Sequence, residues 1–322
     1  MSLSPFVQIL ARGQGRARSM TLDEAHAAMT AMLQEDAAPE AIGAILMLIR
    51  MKGERPEEIA GFTAAARASL GHWPGARPAL DWPSYAAGRT RGLPWFLLSA
   101  RLLAGAGHAV LLHGWNSHQQ GRASVRAVLP GLGIRSGASM AEGSAILEED
   151  GIAYLPLEAI SPRLMALLRL REVLGLRSCV NTVLRMLNPA GAGTAVQGVF
   201  HPPYRELQAD AALLLGQERL TVLKGGGGEF EHHPVKDIQV FGLRDGQAWT
   251  GTTGTAAEGR RRLAETQTEP EALLALWDGR VQDDFAEAVV ISTAALALDT
   301  LGVAEPQAVA ARLWQDRRRR AA

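Results

Sequence analysis

The sequence predicts an α/β protein in which a small N-terminal α-helical domain precedes a larger α/β domain with a central, mostly parallel sheet. Three observations carry that expectation. The chain has 322 residues, enough to bury a full core. Residues 20–70 show helical apolar periodicity, and beyond residue 84 helical stretches alternate with short apolar runs. Hydrophobic residues make up 47% of the chain and charged ones 20%, which excludes extended disorder.

The first predicted helix opens with Thr21 and, three residues later, Glu24. That spacing makes a capping box, in which each side chain satisfies the other residue's backbone N–H. Met29, Met32 and Leu33 give the helix its apolar stripe. The second begins near Pro39 and Glu40 and carries Ile42, Ile45, Leu46 and Ile49 at spacing i, i+3, i+4, i+7. Met47, Leu48 and Met51 make its other side apolar too, so one face should meet its own core and the other a different domain or subunit. The third opens on Pro56-Glu57-Glu58, a proline and acids where a helix N-terminus favours them.

These helices define a domain at residues 1–72. A stretch with His72, Trp73, Pro74, Gly75, Pro78 and Pro83 reads as a hinge, and the α/β domain is assigned to residues 80–322. Within it the runs Ala109–Leu112, Val196–Phe200 and Leu220–Leu223 suit buried parallel strands.

Charge balances at 33 basic against 33 acidic residues, which argues against a surface built wholly for polyanions but not against a local patch. Three of the 33 cations are lysines (Lys52, Lys224, Lys236), leaving 30 arginines, the side chain suited to planar, bidentate contacts with phosphate. No acid occurs between Asp81 and Glu142, a stretch that holds Arg89, Arg91, Arg101, Arg122, Arg126 and Arg135. From Pro162 to Leu187, Arg163, Arg169, Arg171, Arg177 and Arg185 face one acid, Glu172. Arg171 falls within the stripe Leu164, Leu167, Leu168, Leu174, so its guanidinium must snorkel, pair, or meet an anion in a cleft. Arg12, Arg16 and Arg18 near one end and the run Arg317–Arg320 at the other suit either solvated tails or nucleic-acid contacts.

The single cysteine, Cys179, excludes an internal disulfide and a thiol cluster for zinc. With no signal peptide and no apolar run long enough to span a bilayer, a soluble cytoplasmic setting without membrane contact is expected. Gly225–Gly228 follows a strand-like run and precedes Glu229-Phe230-Glu231-His232-His233. Such a loop is either a plain surface loop or a backbone cradle for phosphate, and acids with histidines can hold a divalent metal. No Walker lysine follows, and the spacing is not that of a dinucleotide fingerprint. His113-Gly114 comes directly after a strand, where side chains reach the ligand crevice of a parallel sheet.

The segments Thr21-Leu-Asp-Glu-Ala25, Ala44-Ile-Leu-Met-Leu-Ile-Arg-Met-Lys-Gly-Glu54 and Pro56-Glu-Glu-Ile-Ala-Gly61 resemble the N-terminal domain of the anthranilate phosphoribosyltransferase family. The resemblance continues through His113-Gly114, Leu170-Arg-Glu-Val-Leu-Gly-Leu-Arg177, Asn181, Leu187-Asn-Pro189 and Val196-Gln-Gly-Val199. It implies a helical domain hinged to an α/β domain, with the helices near 162–187 returning to the helical side. It also implies a homodimer formed through the helical domains.

Several positions depart from the family pattern. Where the family has a Gly-Thr-Gly-Gly-Asp diphosphate loop, this chain has Ser84-Tyr-Ala-Ala-Gly88 and Arg89-Thr-Arg91-Gly92. The family's Asn-x-Ser-Thr helix start becomes Pro94-Trp95-Phe96-Leu97, and its Lys-His-Gly-Asn becomes Leu112-His113-Gly114-Trp115. The magnesium-binding Asp-Glu pair falls on Phe230-Glu231, while Arg171 stands where the family keeps an arginine for the anthranilate carboxylate.

Eroded phosphate motifs with surplus arginine resemble the YbiB-type branch of this family, which implies a dimeric nucleic-acid-binding protein without synthase activity. On that expectation the chain binds single-stranded DNA or RNA without sequence preference and needs no cofactor. Arg163, Arg169, Arg171, Arg177, Arg185, Arg89 and Arg91 would contact phosphates, with Trp95 or Trp115 stacking on bases. The alternative is an active phosphoribosyltransferase with a changed substrate. It would use Arg171 for an acceptor carboxylate and His113 near the ribose, with Glu231 and His232 or His233 holding Mg2+ beside phosphoribosyl pyrophosphate.

Overall fold

The computed structural model describes residues 2–13, 15–85, 92–115, 124–263 and 269–317. Four helices come first: α1 (Ser4–Ala11), α2 (Leu22–Met32), α3 (Pro39–Lys52) and α4 (Pro56–Ala68). The capping box on α2 is formed, with Thr21 N donating to Glu24 Oε2 at 2.9 Å and Glu24 N donating to Thr21 Oγ1 at 3.2 Å. Arg18 clamps the same carboxylate and is the chief cause that holds Glu24 down at about 2. Helix α3 buries Ile42, Ile45, Leu46 and Ile49 as the periodicity predicts. At roughly 1.5–3 kcal/mol per buried aliphatic side chain, this stripe fixes the helix far more firmly than its intrinsic propensity does.

Met47 and Leu48, expected on a face for another domain or subunit, are half-buried against this chain's own core, and only Met51 stays exposed. Helices α2 and α4 cross closely because α4 carries Gly61 at the crossing, where a Cβ would run into the Leu22 carbonyl.

The second half is a seven-stranded sheet in the order β3-β2-β1-β4-β5-β6-β7. Its parallel part is β1 (Leu80–Ser84), β2 (Val110–Gly114), β3 (Ile152–Pro156), β4 (Thr194–Val199) and β5 (Arg219–Lys224). An antiparallel hairpin, β6 (Gln239–Arg244) and β7 (Gln247–Thr252), extends it at one edge. The connecting helices are α5 (Phe96–Gly105), α6 (Val125–Val128), α7 (Met140–Asp150), α8 (Leu157–Ile160), α9 (Pro162–Leu174), α10 (Val180–Arg185) and α11 (Tyr204–Leu214). Helices α12 (Pro270–Trp277), α13 (Asp284–Leu301) and α14 (Pro306–Asp316) close the described chain.

One sheet face carries Trp82, Leu112, Val196 and Leu223 against α5 and α13. The other carries Leu111, Ala195 and Val222 in a core continuous with Ile45, Ile49 and Leu168 of the helical half. Helices α9 and α10 return to that half: Arg163 donates to the carbonyls of Leu33 and Gln34, and Arg67 to those of Leu187 and Met186. The strand order reverses between β1 and β4, and in such sheets ligands enter the crevice outside the carboxyl ends of the strands at that point. Residues 84–85, 114–115, 199–201 and 224–231 all lie at those ends.

Among the described residues no helix is long and apolar enough to cross a membrane. Cys179 is a free thiol, and burial pushes it well above the usual thiol range.

Candidate functional site

At the carboxyl edge, a cavity of about 230 Å³ opens between the end of α3, the α9–α10 turn, the end of β4 and the start of α11. Its lining includes Arg50, Arg177, Arg185, Asn181, His201 and Tyr204. The Arg50 Nη1 donates to the Arg177 carbonyl at 2.6 Å, and Tyr204 Oη donates to Glu54 at 2.9 Å, so both contacts tie the helical half to the walls of the cavity. Arg185 is 6% exposed; its Nη1 donates to the Asn181 carbonyl at 3.3 Å, and its Nη2 has no hydrogen-bond partner among the described residues. Burial holds the Arg185 guanidinium below the usual arginine value, with Glu229 opposing that shift and Arg177 adding to it. Arg177 is lowered by burial and then by the positive charges of Arg171 and Arg50. The buried Nη1 of Arg171 likewise finds no hydrogen-bond partner among the described residues, and its positive charge is felt at Arg177.

The donor side of the crevice departs from the sequence expectation in a connected way. Phe230 and Phe96 stand where the resemblance implies an acid and a polar helix start, and both pack on Trp82, with ring centroids 5.4 and 6.1 Å away. Two departures therefore join Trp82 in one aromatic core. Gly198 in β4 allows it, since a Cβ there would strike the backbone of Glu229 and Phe230. Glu231 is fully buried, and its Oε2 accepts from Phe96 N at 3.0 Å, closing the N-terminus of α5 with the chain's own carboxylate. Glu229 is buried two residues away.

His113 has no exposed surface. It lies between Tyr85, whose Oη is 3.2 Å from Nδ1, and Asp81, whose Oδ1 is 3.2 Å from Nε2 but too poorly aligned for a hydrogen bond. It therefore props the ends of β1 and β2. His232 and His233 are engaged with neighbours of their own. His232 takes contacts from Thr293 and Thr253, His233 packs edge-on to Phe285, and among the described residues no group of three or more metal-ligating side chains exists.

Of the arginines expected to line a nucleic-acid groove, Arg177 and Arg185 line the cavity, while Arg163 and Arg169 are engaged elsewhere. Arg163 is spent on helix carbonyls, Arg169 pairs with Glu172, and Arg185 is buried. In the acid-free stretch, Arg126 pairs with Glu158, Arg135 with Glu149 and Asp150, and Arg101 lies over the Trp277 ring. Trp95 and Trp115 are each 6% exposed and offer no stacking face. Arg317 is buried under Trp314 and donates to the Trp277 carbonyl, so it is part of the fold rather than of a tail. Arg89 and Arg91 lie outside the described residues.

A helical bundle beside a mostly parallel sheet, with a cationic cavity at the sheet's switch point, defines a glycosyl-transferase scaffold. A family profile described as "Glycosyl transferase family, helical bundle domain" matches residues 5–70. The anthranilate phosphoribosyltransferase of Halobacterium salinarum is 30% identical over 253 residues, covering 78% of this chain and 73% of that protein. The crystal structure of the Thermus thermophilus enzyme of the same name superposes with a TM-score of 0.81 at 25% identity, over 98% of this chain and 94% of that one. The Saccharomyces cerevisiae enzyme, solved in complex with PRPP and Mg, shares the fold with a TM-score of 0.77 at 14% identity, covering 99% and 94%. The chain belongs to the anthranilate phosphoribosyltransferase family.

These relatives overturn three expectations. The relatives are enzymes named for phosphoribosyl transfer, so the nucleic-acid-binding function falls, and DNA or RNA as partner falls with it. The expectation that no cofactor is needed falls as well, because a protein of this fold was solved with PRPP and Mg.

Proposed function

We propose that the protein is a magnesium-dependent phosphoribosyltransferase whose acceptor carries an anionic group. The observation that carries this reading is Arg185, a buried guanidinium with an unpartnered Nη2 in the cavity at the switch point of the sheet. A buried charge without a partner costs several kcal/mol, and an acceptor anion in that cavity offsets the cost. The acceptor's carboxylate would be gripped by Arg177 and Arg185, with Arg171 reinforcing the positive field.

Transfer forms a bond from the acceptor's nucleophilic atom to C1 of the phosphoribosyl group. The C1–O bond to diphosphate breaks, and diphosphate leaves with the electron pair. Magnesium usually takes one or two carboxylates and completes its shell with substrate phosphates and water. Glu231 and Glu229 are the buried carboxylates that would supply that need, while Phe230 supplies no oxygen. Bound metal would neutralise charge on the departing diphosphate. Asp81, His113 and Tyr85 hold the β1 and β2 ends that frame the donor side.

Calorimetric titration with PRPP tests the reading. Heat of binding with magnesium, and its loss when magnesium is chelated, is the expected result. A folded protein that gives no heat under either condition would overturn it.

A further inference from the structure

A second cavity, of about 410 Å³, opens between the end of β5, the start of α11 and the chain that enters β6. Its lining includes Arg205, Lys224, Gly225, Gly226, Lys236 and Asp237. The chain has only three lysines among 33 cations, and two of them stand here. The third, Lys52, is bound to Glu58 at 2.8 Å. The ammonium groups of Lys224 and Lys236 make no hydrogen bond or ion pair among the described residues. Arg205 donates from Nε and Nη1 to the Pro202 and Gln239 carbonyls, which leaves its Nη2 without a partner among the described residues. Asp237, the one acid among the described lining residues, already accepts the Gly254 N–H at 2.9 Å. Both lysines are exposed and Arg205 is half-buried, so none of these charges has to be neutralised for the protein to fold. What they make is a concave surface of one sign, which focuses the field and concentrates anions.

The loop Gly225–Gly228 parts this cavity from the one that holds Arg185. Gly225 and Gly226 line the second cavity, while a Cβ on Gly228 would come within 3.3 Å of Arg185 Nη2. Gly226 and Gly228 are two residues apart, at most about 7 Å. A Cβ on Gly226 would come within 2.6 Å of Glu231 Oε1, so the carboxylate proposed for magnesium lies directly behind the cavity floor. The N–H groups of Gly225, Gly226 and Gly228 are committed to the carbonyls of Val199, Glu231 and Gly225. The loop is therefore a partition and not a backbone cradle, and the positive charge comes from the side chains around it.

The geometry points to a diphosphate site in this cavity, with Lys224, Lys236 and Arg205 holding the phosphoryl oxygens on the far side of the glycine loop from Arg185. Lysine suits the task as a compact point charge with three rotatable donors. Two sources share the chemistry, the diphosphate of the donor and free inorganic diphosphate. The first rests on the phosphoribosyltransferase reading, and the second stands without it.

Calorimetry on the whole chain with sodium diphosphate, at pH 8 and fixed ionic strength and without magnesium or PRPP, tests the site. Lys224→Met/Lys236→Met, at exposed positions that spare the core, should weaken diphosphate binding at least tenfold. Arg12→Met/Arg16→Met removes the same charge from exposed positions in the helical half and should leave the affinity within twofold. No binding by the wild-type protein, an unchanged affinity in the lysine variant, or an equal loss in the arginine control overturns the inference. Mg-PRPP then separates the sources. A parallel tenfold loss in the lysine variant assigns the cavity to the donor's diphosphate, and an unchanged affinity assigns it to free diphosphate. Missing heat with Mg-PRPP in a wild-type protein that binds diphosphate would strike the transferase reading alone.

Discussion

The Glu231 carboxylate accepts the Phe96 N–H at 3.0 Å, so a side chain from the loop after β5 caps α5 across the crevice. The positive end of the helix dipole favours an anion there. On the phosphoribosyltransferase reading, a donor phosphate at this terminus would meet a carboxylate already in place, and a bound magnesium ion would offset the two negative charges. Glu231→Ala should cost about 1–3 kcal/mol in denaturant unfolding, because it strands a buried N–H. Glu231→Gln, which keeps an acceptor oxygen, should cost less than half of that, and both variants should bind Mg-PRPP at least tenfold more weakly. Wild-type stability in Glu231→Ala would contradict the cap.

Phe230, Phe96 and Trp82 act as one unit. Phe230→Asp alone therefore places a charge in an aromatic core and should destabilise the protein by roughly 3–5 kcal/mol, read as a fall in Tm, without raising affinity for magnesium.

Gly61 lies where α4 meets α2. Gly61→Ala gains about 1 kcal/mol of helix propensity in isolation. Here the added methyl meets the Leu22 carbonyl and lies 2.8 Å from the Ala25 Cβ, so overpacking of about 1–3 kcal/mol or more decides the sign. Urea unfolding should show net destabilisation, and Gly61→Val should be worse.

Burial lowers His232 to about 4, against an ordinary histidine value of 6.5, and lowers His233 in the same direction. As pH falls below 6.5 the unfolded chain takes up protons that the folded chain refuses. The stability this neutrality contributes is thus full above pH 6.5 and lost progressively toward pH 4, by up to about 3 kcal/mol for His232. His232→Gln should flatten that part of the stability–pH curve. An unchanged slope between pH 6.5 and 4 would contradict the assignment.

Local order was legible where it depends on neighbours in sequence. The Thr21–Glu24 box, the α3 stripe and the parallel strands β2, β4 and β5 follow from patterns that a few residues carry, whereas β1 and β3 emerge only in the structure. The β6–β7 hairpin has its own signal, Asp245-Gly246, with φ of 51° and 75° as a two-residue turn demands. The arginines are different. Arg126 and Arg135 lie in a stretch without acids, yet their partners arrive from Glu158, Glu149 and Asp150, elements that sequence distance hides. Arg177 and Arg185 stand out by number in the sequence, but Arg50, His201 and Tyr204 join them only because α3, β4 and α11 converge. The lost acid at 230 and the bulky residue at 96 read as two separate erosions until their rings are seen on Trp82.

The bond from Arg50 to the Arg177 carbonyl and that from Tyr204 to Glu54 make the cavity a joint between stretches far apart in the chain. A ligand in such a joint works as a strut. Amide hydrogen exchange at the end of α3 and the start of α11 should slow together when the cavity is filled, although no residue of the sheet core changes its protection.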